Sequence, residues 1–346
     1  METLPLLPLF KIGVELSFYD LLNLCQTNKR NWVKIWQNEL FWKTRAVQVL
    51  GYNIKELPEK VDKQWYMDNA GVTYYKVGKS EFKVVANNVK KIFCYPRMTG
   101  IIDAENNAFV SHGKQYMFLM KDAIQISENE NNDIFVLNKS GELFCFEGNK
   151  GRKLTMISED KVDFIQQDYI LANGILYQYD IWKEIIIKYR PHLKGIKFIK
   201  LYEYEYDYFV YITENNDLYL HFAYFKMYSL FVANNVKYGN VTCREMGREL
   251  MFYIFCTDNK SDLYMTYGCS NDTKTMEKEI LENKYFVMKN VLKVSFTNEE
   301  TYVLTNEHDL YVYEMNITGL YNHKFVNNSV RNIESVHNEV MILVIQ

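Results

Sequence analysis

The chain has 346 residues, and its 40 basic and 43 acidic side chains leave a formal net charge of −3. That balance excludes the strongly basic surface of a generic nucleic-acid binder. With 48% hydrophobic and 24% charged residues, a disordered or collagen-like chain is excluded as well. Aromatics reach 16%, with 28 Tyr and 21 Phe against 15 Gly and 5 Pro, which suits pleated, half-buried strands. The N-terminus METLPLLPLFKIGVEL has neither a basic leading region nor a small-residue cleavage site, so no secretory signal is expected. No apolar run reaches the ~18–20 residues of a membrane-spanning helix. Cys25, Cys94, Cys145, Cys243, Cys256 and Cys269 form no CxxC pair and read as reduced thiols, hence a cytoplasmic or nuclear protein with no membrane partner.

In chain order, residues 1–51 read first, as helices. Leu9, Ile12 and Leu16 fall at i, i+3 and i+7, along one face of a 3.6-residue helix. Ser17-Phe18-Tyr19-Asp20 has the form of a capping box ahead of Leu21-Leu22-Asn23-Leu24-Cys25. A third segment carries Trp32, Ile35, Trp36, Leu40, Phe41 and Trp42, and Gly51 is placed to stop it. Three short helices with apolar residues on several sides cannot bury them all in about 50 residues, so a partner or the next domain must cover some.

The order Leu4-Pro5, Ile12, Leu16, the Ser17-to-Asp20 cap, Leu21-Leu22, Lys29-Arg30 and Leu40-Phe41-Trp42 resembles the F-box over residues 1–50. Two positions depart from that pattern: Trp32 stands one residue late after Lys29-Arg30, and Pro8 replaces a preferred Leu. The resemblance implies binding to a Skp1-like adaptor of a cullin ubiquitin ligase. The matching contact positions are Leu4, Pro5, Leu9, Ile12, Leu16, Leu21, Leu22 and Trp42. The alternative is a helical cap braced on the following domain. Residues 52–64 read as a linker.

From residue 65 to 346 one phrase recurs: an apolar run, a turn with Asn, Asp, Ser or Gly, then a strand with a central aromatic or β-branched residue. Tyr74, Val110, Phe144, Tyr177, Tyr219, Tyr264 and Tyr311 are its equivalent anchors, spaced by 36, 34, 33, 42, 45 and 47 residues. That spacing suits a four-stranded propeller blade. Ile134-Phe-Val-Leu and Tyr208-Phe-Val-Tyr-Ile precede their anchors as one strand, and Ala123-Ile-Gln-Ile and Val291-Leu-Lys-Val as another. The first copy lacks these preceding strands and the last ends after them. Val340 to Ile345 is therefore expected to pair beside residues 65–77 and close a ring without free edges. The absence of Trp-Asp and Gly-Gly pairs argues against WD40 and kelch rings, and the repeat resembles RCC1-like repeats without their glycine pairs. The expected fold is mainly β, a seven-bladed RCC1-like propeller behind a small three-helix domain; a β-sandwich or a smaller ring is the alternative.

Phosphate-binding, acyl-transfer and zinc-protease motifs are absent. The six His are scattered without metal spacing, so no metal or cofactor is expected. Thr273 to Lys284 reads as a charged, solvated insertion, possible as a helix. The expected role is a non-enzymatic substrate receptor of an SCF-type ligase, with the ring capturing a substrate protein. An RCC1-like guanine-nucleotide exchange factor and a scaffold protein are the alternatives. The turns after the first strand of each copy are mostly acidic and Tyr-rich. Glu203, Tyr204, Glu205, Tyr206 and Asp207 are thus expected to hold a basic-surfaced substrate. The richness in Asn, Lys, Ile and Tyr is that of an AT-rich genome, such as a large DNA virus or a protist; a viral chain would redirect a host ligase.

Overall fold

Ile134-Phe135-Val136-Leu137, Tyr208 to Ile212 and Val340 to Ile345 are unbroken apolar runs, a pattern that in a sheet demands cover on both faces. A computed structural model supplies that cover. It describes residues 12–14, 16, 21, 35–50, 54, 57–77, 80–81, 83–95, 97–111, 116–129, 131–147, 150–154, 161–180, 185–189, 193, 195–202, 208–222, 228–246, 249–269, 273–297, 300–316, 319–336 and 339–345. Its strands form seven antiparallel sheets of four, the blades of a β-propeller.

The chain enters the ring through β1 (Gly71–Val77) and β2 (Lys83–Asn87). Blade 1 follows with β3 (Val89–Cys94), β4 (Thr99–Asp103), β5 (Ala108–Ser111) and β6 (Met117–Met120). Blade 2 holds β7 (Ala123–Glu128), β8 (Ile134–Asn138), β9 (Leu143–Glu147) and β10 (Lys150–Leu154). Blade 3 holds β11 (Phe164–Gln166), β12 (Tyr169–Ala172), β13 (Ile175–Asp180) and β14 (Ile185–Lys188). Blade 4 holds β15 (Ile196–Tyr202), β16 (Tyr208–Thr213), β17 (Leu218–Phe222) and β18 (Ser229–Ala233). Blade 5 holds β19 (Val236–Met246), β20 (Glu249–Asp258), β21 (Leu263–Cys269) and β22 (Tyr285–Met288). Blade 6 holds β23 (Val291–Phe296), β24 (Glu300–Thr305), β25 (Leu310–Asn316) and β26 (Gly319–Asn327). β27 (Val330–Val336) and β28 (Glu339–Ile345) complete blade 7 beside β1 and β2, in the order β2-β1-β28-β27.

All seven sequence anchors fall on the third strand of a blade, and the apolar runs fall on the second. A buried apolar core lies between each pair of neighbouring blades, seven in all around the ring, so second strands such as β8 and β16 are buried on both faces. Outermost strands such as β2 face solvent.

The Asn-rich turns have a backbone cause. Between second and third strands, Asn106 (φ 68°), Asn216 (φ 63°), Ser261 (φ 66°) and His308 (φ 69°) are left-handed, as are Asn88, Asp122, Asn235, Asn290 and Ser329 ahead of innermost strands. Asn and Asp tolerate that conformation better than other side chains, and Gly takes it freely. The turn also ties blade to blade. The carbonyls of Asn106, Asn216, Ser261 and His308 accept from the N–H groups of Ala123 (2.9 Å), Val236 (2.8 Å), Val291 (2.7 Å) and Val330 (3.0 Å). Asp103, Asn138 and Asp258 accept from backbone N–H groups two and four residues on, which pins the same turns.

Ring closure uses both ends. β28 pairs antiparallel with β1 from Gly71↔Ile345 to Val77↔Glu339. Gly71 cannot carry a side chain there, because a Cβ would stand 1.8 Å from the Val89 carbonyl oxygen.

On the N-terminal side stand α1 (Glu39–Leu50) and α2 (Lys63–Asn69). Asn38 and Asp62 start them by accepting from Phe41 N (3.1 Å) and Trp65 N (3.0 Å). The sequence places the start of the propeller at residue 65, but α2 spans that boundary and belongs to the helical core through Tyr66, which packs on Trp42. Arg45, wholly buried, donates to the carbonyls of Gly13 (2.8 Å) and Val14 (3.0 Å) and to Tyr66 Oη (3.1 Å). Ile345 joins this core, and Arg331 Nη1 donates to Met67 O (2.9 Å), so the helical module is seated on blade 7. The insertion read as solvated is α3 (Thr273–Glu282). Its outer side is charged, but Met276 and Ile280 are buried against Gly268 and seal blade 5.

Candidate functional site: the central channel

Side chains alternate along a strand, so residues two apart on an innermost strand face the same way. All seven innermost strands contribute to one axial cavity of about 650 Å³. A bulge near the start of β3, β7, β15, β19, β23 and β27 sets a common register among them. Just beyond it come Lys91, Gln125, Phe198, Tyr238, Lys293 and Asn332, with Phe164 in the corresponding place on β11. Two residues further on stand Phe93, Gln166, Lys200, Asn240, Ser295 and Glu334. The channel therefore has two layers of side chains.

Its wall is two-sided. Phe164, Phe198 and Tyr238 occupy three successive blades with ring centroids 6.1 and 5.9 Å apart. The charges gather around Glu334 on blade 7. Lys293 Nζ pairs with Glu334 and donates to Asn332 Oδ1 (3.0 Å), while Lys200 Nζ lies 3.8 Å from Glu334 Oε2. Burial draws the Lys293 ammonium below its usual pKa against the pull of Glu334. Burial also opposes ionisation of Glu334, but the Lys293 and Lys200 charges outweigh it and hold the carboxyl below its usual range.

Several polar groups stitch neighbouring blades together. Lys91 Nζ donates to Ile124 O (2.8 Å), Ser335 Oγ to Phe296 O (2.6 Å), and Tyr238 Oη and Asn240 Nδ2 to Val294 O (2.8 and 3.0 Å). Gln125 exchanges two bonds with the Ile165 backbone. Burial pushes the Tyr238 phenol up, so it stays neutral as a donor.

Nothing resembling a metal centre occurs among the described residues. His221 is buried, 2.9 Å from Ser229 Oγ through Nδ1 and 3.4 Å from Tyr189 Oη through Nε2, which makes it a structural group. The described cysteines form no disulfide, and burial pushes the Cys256 thiol up to about 11, away from nucleophilic use. Cys25 lies outside the described residues.

The residues read from the sequence as adaptor contacts divide into three groups. Leu4, Pro5, Leu9 and Leu22 lie outside the described residues. Ile12 is 43% exposed and Leu16 half-buried. Leu21 and Trp42 correct the expectation, because both are wholly buried in the module's own core. Trp42 sits there among Trp36, Phe41 and Tyr66, with its indole N–H donating to Trp36 O (3.2 Å). The acidic turn Glu203, Tyr204, Glu205, Tyr206, Asp207, expected to hold a substrate, lies outside the described residues too. The channel escaped sequence reading, although a signal existed: Phe164-x-Gln166, Phe198-x-Lys200 and Tyr238-x-Asn240 place an aromatic two residues before a donor in three successive copies.

No family model matches the chain, and no curated protein matches it. Among solved structures the fold is similar to that of Prp20p from Saccharomyces cerevisiae, with TM-score 0.56 and 10% identity over 81% of this chain and 93% of that one. Yeast RCC1 (Prp20) in its Kap60-bound structure is similar too, with TM-score 0.58 and 10% identity over 84% of this chain and 96% of that one. No helix among the described residues is long and apolar enough to cross a membrane. The chain is thus a mainly β protein with the seven-bladed, RCC1-like propeller fold.

Proposed function

We propose that the chain is a non-catalytic adaptor in which the helical module recruits one protein and the ring captures another. The observation that supports this reading is the exposure of Ile12, Leu40 (65%) and Ile54 (70%) on a module whose buried apolar residues share a core with Ile345 of the ring. Apolar side chains left outside a satisfied core suit a helical partner surface. In its finer form the partner is a Skp1-like subunit of a cullin ligase, as the F-box resemblance implies. Leu4, Pro5, Leu9, Ile12, Leu16 and Leu22 then remain as contacts, while Leu21 and Trp42 support them from within. A basic-surfaced substrate would meet the ring at residues 203–207.

Full-length protein should co-purify with a Skp1-type subunit, and Leu40→Asp or Ile12→Asp should abolish that without lowering the melting temperature. Retention of the subunit by both variants, or no binding by the parent, ends the adaptor reading. A second reading, exchange on a small GTPase, rests on the fold likeness to Prp20p, whose structure was described with its binding to Gsp1p and histones. The same purified chain decides it: accelerated nucleotide release from a Gsp1-type GTPase favours exchange, and an unchanged rate favours the adaptor.

A further inference from the structure

We infer that the central channel is a binding site for a small, flat aromatic carboxylate. Three observations converge on that chemistry. First, on blades 3, 4 and 5 the wall repeats an aromatic residue followed two positions later by a polar one: Phe164 and Gln166, Phe198 and Lys200, Tyr238 and Asn240. The rings form one continuous arc, and the polar residues form a second layer on the same strands in which Lys200 carries the positive charge, so a ligand with an apolar end and an anionic end meets both along one direction.

Second, the charges around Glu334 are unequal. Lys200 and Lys293 share this one carboxylate, and Asp163 is the other acid on the wall. Asp163 already accepts from Asn173 N (2.8 Å), and Glu334 is held by Lys293. Lys200 meets Glu334 only at 3.8 Å, beyond hydrogen-bond distance, and retains 27% of its side-chain exposure. Two ammonium groups sharing one carboxylate in a sheltered space repel each other, and Lys200 indeed helps to lower the Lys293 pKa. A ligand carboxylate beside Lys200 would supply the missing charge.

Third, about 650 Å³ enclosed by seven strands falls in the ~300–1,000 Å³ range of small-molecule sites. A neutral ligand would leave the excess charge uncompensated. A cation would be repelled.

The test uses the full chain with 1-naphthoate as probe and 1-naphthamide as its uncharged counterpart, followed by isothermal titration calorimetry. The acid should bind one per chain, and the amide about tenfold or more weakly, a comparison that needs no variant. Lys200→Gln should lose about tenfold in affinity for the acid and little for the amide. Phe198→Leu, which keeps an apolar volume but removes the flat face, should weaken both. Equal binding of acid and amide overturns the proposal. So does unchanged affinity in a folded Lys200→Gln, or no heat with either compound up to about 1 mM.

Discussion

Removing the last strand, by ending the chain after Glu339, should unfold the whole ring. Val340, Met341, Ile342, Leu343 and Ile345 are all buried. They serve three different cores: Val340 and Ile342 lie between blades 6 and 7, Met341 and Leu343 between blades 7 and 1, and Ile345 in the helical module. At ~1.5–3 kcal/mol for each buried side chain, the loss is on the order of 10 kcal/mol, as large as the ~5–15 kcal/mol that holds a typical domain. The truncation also strips the hydrogen-bonding partner from both β1 and β27, which exposes two sheet edges. Thermal unfolding followed by circular dichroism, with light scattering for association state, reads the outcome as aggregation or loss of the cooperative transition. Leu343→Ala provides the graded version. It should cost about 3 kcal/mol and lower the melting temperature by roughly 5 °C or more. A truncated chain that stays monomeric with an unchanged melting temperature would refute closure by β28.

Gly71→Ala should be as damaging as a core deletion despite adding one methyl group. The neighbour 1.8 Å away is the backbone carbonyl of Val89, which cannot swing aside, and a melting temperature within 1 °C of the parent (about a few tenths of a kcal/mol) would contradict this. Arg45→Leu leaves the Gly13 and Val14 carbonyls without their buried donor and should cost about 2–4 kcal/mol. Limited proteolysis should then cut the helical module while the ring resists. His308→Asn tests a pH effect. Burial, aided by Lys63 and Arg331 and opposed by Val330 O and Asp309, lowers the folded pKa of His308. The unfolded chain, with a His pKa of about 6.5, therefore binds the proton more readily. Stability from the neutral ring is present above about pH 6.5 and declines as pH falls toward the folded value. Asn already occupies the equivalent left-handed turns at 106 and 216, so the variant should match the parent at pH 7.5 and fall less steeply in denaturant melts toward pH 5. An identical slope would remove His308 from the account.

The seven blades were legible in the sequence because their signals are local. A left-handed turn selects Asn, Asp, Ser or Gly within a few residues, and a second strand covered on both faces loses its polar alternation, as in Ile134 to Leu137. Complementary ends also pointed to closure, since a half-blade at each terminus has unpaired edges. What the chain alone left undecided depends on which of two strand faces turns inward. Period-two alternation marks Phe198 and Lys200 as neighbours on one face but cannot say that this face meets the axis. Only the curvature of seven packed blades brings Phe164 and Tyr238 beside Phe198 and sets Lys200 near Glu334, 134 residues away in sequence. The same holds for the helical module. Trp42 and Leu21 fit a contact pattern by spacing, yet α2 folds back and buries Trp42 under Tyr66, because covering a large aromatic surface within the chain is favoured over leaving it to solvent.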